Sequence, residues 1–194
     1  KELSCCNNQL TKLPESIGSL VNLKELRCNG NKLMKLPESF GSLVNLTTLS
    51  CSYNQLTKLP ESIGSLFNLR GLYCFNNQLM KLPESIGSLV NLKKDTLKSL
   101  GDLELQLGNV DAARQHFNNA LPLYVAHYHR QGKTSTLKSL GDLELQLGNV
   151  DAARQHFNNA LPLYVAHYHR QGKTSTLKSL GDLELQLGNV DAAR

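Results

Sequence analysis

The 194-residue chain contains no tryptophan and no apolar run near membrane-spanning length, and a helical span needs roughly 20 consecutive apolar residues. A helical membrane protein is therefore excluded, and a soluble one is predicted. No sign of charge dominates. The first 93 residues carry ten Lys and Arg against six Asp and Glu, and the remainder carries eleven against ten. Proteins that grip nucleic acid usually gather their basic residues on one face or arm, so no nucleic-acid partner is expected. The five cysteines include no C-x-x-C pair, the short spacing that structural zinc sites use. No metal and no cofactor is expected, and thiols without a disulfide-type framework favour a reducing, cytoplasmic compartment. No methionine opens the chain and both ends fall inside repeating units. The sequence thus reads as a piece of something longer, and its want of a leader says nothing about targeting.

What the chain has instead is repetition, with two periods that meet without a linker. Up to Leu92 the sequence recurs every 23 residues, with Leu23, Leu46, Leu69 and Leu92 at the same point of the unit. From Thr96 the period becomes 40: the segment from Thr96 to Ser135 returns letter for letter from Thr136 to Ser175, and a third copy runs to Arg194. Periods of this size signify stacked supersecondary units, none of which can bury its apolar face alone. Within the shorter unit the alternation of Leu26 and Cys28 predicts a short half-buried strand. The following Leu36-Pro37-Glu38-Ser39-Phe40-Gly41 predicts a turn or the first turn of a helix, because proline fixes φ and lacks an N–H.

Leu23, Leu26, Cys28, Asn31 and Leu33, with their equivalents Leu46, Leu49, Cys51, Asn54, Leu56 and Leu69, Leu72, Cys74, Asn77, Leu79, match L-x-x-L-x-L-x-x-N-x-L. This segment resembles the leucine-rich repeat. The resemblance covers residues 1–93, as four units with the first truncated. It implies an α/β solenoid with a parallel sheet on its concave face, and an asparagine ladder of Asn8, Asn31, Asn54 and Asn77. Cys5, Cys28, Cys51 and Cys74 stand where the motif usually has leucine, and are expected to be buried hydrophobes. Cys6 is expected to face outward as a free thiol.

In the longer unit, Leu97, Leu100, Leu103 and Leu107 follow helical spacing up to Gly108-Asn109. A second helical stripe runs from Val110 to Tyr128 and is predicted to end at Gln131-Gly132. Each unit is thus a helical hairpin. Leu100-Gly101, Ala113, Phe117 and Ala120 resemble the tetratricopeptide repeat, so residues 94–194 are expected to form an all-α helical-hairpin solenoid of two full 40-residue units and a truncated third. Three departures stand out: Glu104 where an aromatic is usual, Pro122 inside the second helix, and the extra length, assigned to that helix. A bend is expected at Pro122 and Pro162. Asp95 is a candidate helix N-cap, and the two arrays are expected to join without a hinge.

The function these features imply is a non-enzymatic interaction scaffold or adaptor. The alternative is the sensor or regulatory part of a larger signalling enzyme (a kinase, a GTPase or a nucleotide-binding switch ATPase) with its catalytic domain elsewhere. A protein or peptide partner is expected on the concave surfaces; the oligomeric state is not legible. Outward strand positions are Glu2, Ser4, Cys6; Glu25, Arg27, Asn29; Thr48, Ser50, Ser52; and Gly71, Tyr73, Phe75, with Tyr53 one place beyond the third set. Arg27, Tyr53, Tyr73 and Phe75 are the candidate contacts, as Arg and Tyr are frequent binding hot spots; the alternative is that Phe75 packs under the adjoining second array. In the second array, the family's groove carries over to Lys98, Asp102, Leu105 and Gln106, then Lys138, Asp142, Leu145 and Gln146, of which the polar residues are the candidate contacts. Each Asp lies one helical turn from its Lys, so the pairs are expected to neutralise themselves and not to clamp a peptide carboxylate. No catalytic residues are expected: Gly132-Lys133-Thr134 lacks the glycine of a phosphate loop, since His127 stands there, and His127 and His129 are expected on different faces of a helix.

Overall fold

The computed structural model describes residues 1–127, 129–166, 170–189 and 192, and divides the chain into two compact units, Lys1–Thr96 and Leu97–Arg194. In the first unit, strands β1 (Glu2–Ser4), β2 (Glu25–Arg27), β3 (Thr48–Ser50) and β4 (Gly71–Tyr73) form one parallel sheet in sequence order. The register advances by one repeat per strand, so Leu3, Leu26, Leu49 and Leu72 lie side by side. Parallel strands need a return path, and here it is short. An extended Pro14, Pro37, Pro60 or Pro83 leads into the 3-10 helices Glu15–Ser19, Glu38–Ser42, Glu61–Ser65 and Glu84–Ser88. Proline suits that entry because its φ is preset and no donor is lost. The strand leucines point into the core, where Leu26, Leu49 and Phe40 are wholly buried; Phe40 fills the place that Ile17, Ile63 and Ile86 hold in the other units.

The second unit consists of α1 (Lys94–Gln106), whose first residues belong to the first unit, then α2 (Val110–Ala126), α3 (Arg130–Gln146), α4 (Val150–Ala166) and α5 (Arg170–Gln186). The stop after α1 is the expected one, with Gly108 at φ +81°, a conformation glycine adopts without a Cβ penalty. The second helix, however, ends at Ala126, not at Gln131-Gly132. The segment from Arg130 onward opens α3, so the added length of the 40-residue unit is shared between two 17-residue helices. His127 accordingly caps the end of α2 and His129 the start of α3. His129 Nδ1 accepts the Gly132 N–H at 3.1 Å, and this local hydrogen bond starts α3 where sequence periodicity suggests continuation. Gly132-Lys133-Thr134 is helical, not a loop. Tyr128 lies outside the described residues. α2 continues unbroken through Pro122 and α4 through Pro162. Asp95 sits in the first turn of α1 and does not precede it, a position equally favoured by the helix dipole.

Phe117 and Ala113 pack against Leu140 and Leu143, and Phe157 and Ala153 against Leu183, which ties each hairpin to the next. On the same helices, α2 and α4, His116 and His156 are held below their ordinary pKa, in both cases chiefly by burial, with Glu144 partly opposing the effect at His156. The unfolded chain, titrating near 6.5, therefore binds more protons than the folded one in mildly acidic solution. The stability these neutral imidazoles permit is complete above about pH 6.5 and declines as the pH falls below it. Helical melting midpoints should drop between about pH 7 and pH 5.5, and the drop should flatten in His116→Gln/His156→Gln. A wild-type midpoint that stays level over this interval would contradict the assignment.

Candidate functional site

The sheet face is positioned by a ladder of asparagines. Asn54 Nδ2 donates to the carbonyls of Cys28, Cys51 and Ser52 at 3.0–3.2 Å, and its Oδ1 accepts the Leu33 N–H at 3.0 Å. Asn31 and Asn77 repeat the pattern in their own units. Asn8 is exposed and reaches only the carbonyls of Cys5 and Cys6 within its own loop. Each full rung binds the chain where it leaves the sheet, where backbone groups would otherwise be buried without partners. A second ladder escaped the sequence reading. Asn45, Asn68 and Asn91 donate to the carbonyls of Val21, Val44 and Phe67 in the preceding unit, at 2.7–2.9 Å. Its signal was present in the recurring Val/Phe-Asn-Leu, a polar residue kept at period 23 beside a core leucine.

Across the face, Arg27 pairs with Glu25 of its own strand at 2.7 Å, leaving the guanidinium side chain 54% exposed. Thr48 and Ser50 form a half-buried floor, and Ser50 Oγ donates to Asn29 Oδ1 at 2.8 Å. Ser52 departs from the outward assignment. It is buried, its N–H also donating to Asn29 Oδ1 at 3.1 Å, so the floor is closed between Asn29 and Phe75, its equivalents in the flanking units. Beyond the floor lie three exposed aromatics, Tyr53, Tyr73 and Phe75. Tyr53 meets Phe75 edge to face, with centroids 5.5 Å apart, a geometry favoured by ring quadrupoles. The Tyr73 ring folds back beside Gly71, where an added Cβ would come within 3.1 Å of it.

The backbone at Tyr53 is unusual. It has φ +55°, and the equivalent positions in the other units are Asn7, Gly30 and Asn76, all with positive φ. Glycine and asparagine tolerate that region, whereas a tyrosine there is strained by about 1 kcal/mol. The surrounding ladder forces the conformation on whatever residue occupies the corner. The result is a phenol ring thrust outward next to Phe75.

The cysteine expectations need one correction. Cys28, Cys51 and Cys74 are buried, and burial pushes the thiols of Cys28 and Cys74 up to about 12 and that of Cys51 well above its usual range. Cys5 and Cys6 are both half-buried. Cys5 is thus less enclosed than its equivalents Cys28, Cys51 and Cys74, while Cys6 is partly covered and takes a 3.5 Å contact from Ser4 Oγ. Among the described residues no group of His, Cys, Asp and Glu is placed to hold a metal, and no helix is long and apolar enough to cross a membrane.

In the helical unit, Lys98 pairs with Asp102 at 2.7 Å and Lys138 with Asp142 at 2.6 Å. The same aspartates are approached by Ser139 and Ser179 of the next repeat, so these groups help stack the hairpins. Gln106 and Gln146 are exposed at the ends of their helices. Glu104, unusual by its motif position, is buried and accepts a 2.7 Å bond from Asn109 Nδ2. Its equivalent Glu144 also receives both Arg114 Nε and Nη2, at 2.8 and 3.2 Å. A forked, charge-assisted contact of this kind fixes orientation between repeats.

The family model described as a leucine-rich repeat region matches residues 2–146, a range that ends with the last residue of α3. Among solved structures, a Leptospira interrogans leucine-rich repeat protein is 46% identical over 45% of this chain and 22% of that one, with a TM-score of 0.44. The tetratricopeptide domain of Arabidopsis FLU is 19% identical over 52% of this chain and 84% of that one, with a TM-score of 0.49. The Arabidopsis receptor kinase HAESA, solved with a peptide hormone and a co-receptor, is 28% identical over 42% of this chain and 14% of that one, with a TM-score of 0.38. The chain therefore spans only a small part of the Leptospira protein and of HAESA. No curated protein matches it. Both repeat classes are in general protein-interaction modules and typically not enzymes, because stacked repeats present open surfaces and not closed pockets. With its motif, sheet and asparagine ladder in agreement with that family match, the chain belongs to the leucine-rich repeat family, and its second unit is made of helical hairpins whose Leu100-Gly101, Ala113, Phe117 and Ala120 resemble the tetratricopeptide repeat.

Proposed function

We propose that the protein is a non-enzymatic adaptor that holds a protein or peptide partner on the sheet face of its leucine-rich unit. Tyr53, Tyr73 and Phe75 serve as anchors, and Arg27 stands at the opposite side of the floor. The observation that carries this reading is Tyr53: an exposed aromatic in a strained left-handed corner whose equivalents are asparagine or glycine. Strain of this kind collects at functional sites, where something other than stability keeps it. In the helical unit, Lys98, Asp102, Gln106, Lys138, Asp142 and Gln146 make up the secondary surface. Their internal Lys–Asp pairing speaks against a carboxylate clamp there. The free, largely buried thiols suit work in a reducing compartment such as the cytoplasm.

The test compares proteins captured from a reduced lysate by wild type, by Tyr53→Ala/Tyr73→Ala/Phe75→Ala and by Tyr53→Asn. The Tyr53→Asn variant is informative because relieving the corner should stabilise the unit by about 1 kcal/mol. Its loss of a captured partner therefore could not come from unfolding. Both variants should lose the same specific protein by at least about tenfold. Equal capture by all three would end the proposal.

A further inference from the structure

Away from the sheet face, the descending side of the leucine-rich unit carries a second regularity. Lys12, Lys35, Lys58 and Lys81 recur at the same point of the repeat, and all four are exposed. Immediately before them stand Thr11, Met34, Thr57 and Met80. Here too the backbone is knitted between units: Thr57 N–H donates to the Met34 carbonyl at 3.4 Å, and Met80 N–H to the Thr57 carbonyl at 3.3 Å. Consecutive lysines are therefore borne on backbone segments spaced as adjacent strands are, at roughly 4.8 Å. Among the described residues, none of the four takes part in an ion pair. Of the exposed glutamates three residues further on, Glu15 and Glu61 accept the backbone N–H groups of Ser39 and Ser85 in the next unit, and neither they nor Glu38 and Glu84 pair with the lysines. A column of like charges so close together is self-repelling and gains from a partner of opposite sign.

The methionines decide what kind of partner. Met34 is 59% and Met80 79% exposed, long flexible apolar side chains on the edge of a cationic column. A purely polar polyanion would neutralise the lysines and leave the thioethers uncovered. A polypeptide with acidic and aliphatic residues in turn satisfies both, and methionine adapts readily to such surfaces. We infer that the Lys12–Lys35–Lys58–Lys81 column with Met34 and Met80 is a second docking strip, separate from the sheet face, for an acidic protein segment interspersed with aliphatic side chains. The segment lies across the repeats, its carboxylates on successive lysines and its aliphatic groups on the two methionines. Electrostatics speeds and registers the encounter, and apolar contact lengthens the lifetime of the complex.

The full chain is titrated against three fluorescent probes: a short Glu-Glu-Leu repeat peptide, a poly-glutamate peptide of equal charge, and inorganic polyphosphate. The Glu-Glu-Leu peptide should bind more tightly than the other two, with an affinity that weakens steeply as salt is raised. Lys35→Glu/Lys58→Glu should lower that affinity by at least about tenfold. Met34→Thr/Met80→Thr, which installs the residue of the alternate repeats and keeps the fold, should remove the preference over poly-glutamate while retaining salt dependence. The Tyr53→Ala/Tyr73→Ala/Phe75→Ala variant should bind the peptide as wild type does, which separates this strip from the sheet-face proposal. Unchanged binding in the charge-reversal variant overturns the inference, as does polyphosphate or poly-glutamate binding as tightly as the leucine-containing peptide.

Discussion

Replacing Asn54 with alanine should destabilise the leucine-rich unit by about 3 kcal/mol, the cost of leaving a buried backbone donor without a partner plus the loss of a buried side chain. The reasoning depends on which bonds are replaceable. The three carbonyls that receive Asn54 Nδ2 keep other donors: Asn31 at Cys28, Asn77 at Cys51 and the Gly30 N–H at Ser52. The Leu33 N–H, by contrast, donates to Asn54 Oδ1, and Leu33 is wholly buried, so water cannot take over that bond. Repeat units unfold in part as well as together, so the sensitive measurement is native-state hydrogen exchange. Protection of the amides around β2, β3 and the Leu33 corner should fall by about a hundredfold, as 1.4 kcal/mol corresponds to tenfold. Asn8→Ala is the control. With both bonds inside one exposed loop, it should cost less than about 1 kcal/mol. An Asn54→Ala loss as small as that of Asn8→Ala would show that the ladder is decorative.

Gly132→Ala should be as damaging to the helical unit, for a steric reason. Gly132 lies in the first turn of α3 with the Tyr124 ring against it, and an added Cβ would overlap Cδ1, Cε1 and Cζ of that ring. The ring has nowhere to go, because Tyr124 is only 2% exposed. Either the ring leaves its rotamer or α3 moves off α2, and overpacking of this kind costs about 3 kcal/mol. Gly108 offers a contrast. Its positive φ makes alanine unfavourable, but nothing stands within 4 Å of the added group, so the loss should stay near 1 kcal/mol. Tyr124→Leu is expected to relieve part of the Gly132→Ala defect, so the double variant should lose less than the sum of the singles in urea denaturation followed by helical signal. Strict additivity would mean that the two residues do not meet as described.

The pattern of success and failure along the chain has a common physical basis. The strands, the proline-led 3-10 turns and the asparagine ladder were legible because each depends on groups within one 23-residue unit and its neighbour, and repetition multiplies the signal. The end of α2 was not. Residues 127–132 have no strong breaker except Gly132, and that glycine serves a close approach inside α3 instead of a stop. The helix breaks at His127 because the chain must reverse for α3 to pack on α2, and His129 supplies the cap once it has reversed. The half-buried Cys5 and Cys6 were not legible for a similar reason: period alone equates Cys5 with Cys28, but burial is set by the packing around each residue.

The candidate surfaces divide in the same way. Alternation in the sequence was enough to place Arg27, Tyr73 and Phe75 outward, and one-turn spacing was enough to pair Lys98 with Asp102 and Lys138 with Asp142. The burial of Ser52, the positive φ of Tyr53 and its edge-on contact with Phe75 belong to tertiary structure. So does the division of labour between Asn54 and Asn8. By itself the sequence determined that this protein would be two stacked arrays, since the period and chemistry of each unit prescribe what it must lean on. Only the folded chain decided which of those repeated residues are enclosed, strained or left facing solvent, because burial and backbone conformation are properties of a unit among its neighbours and not of the unit alone.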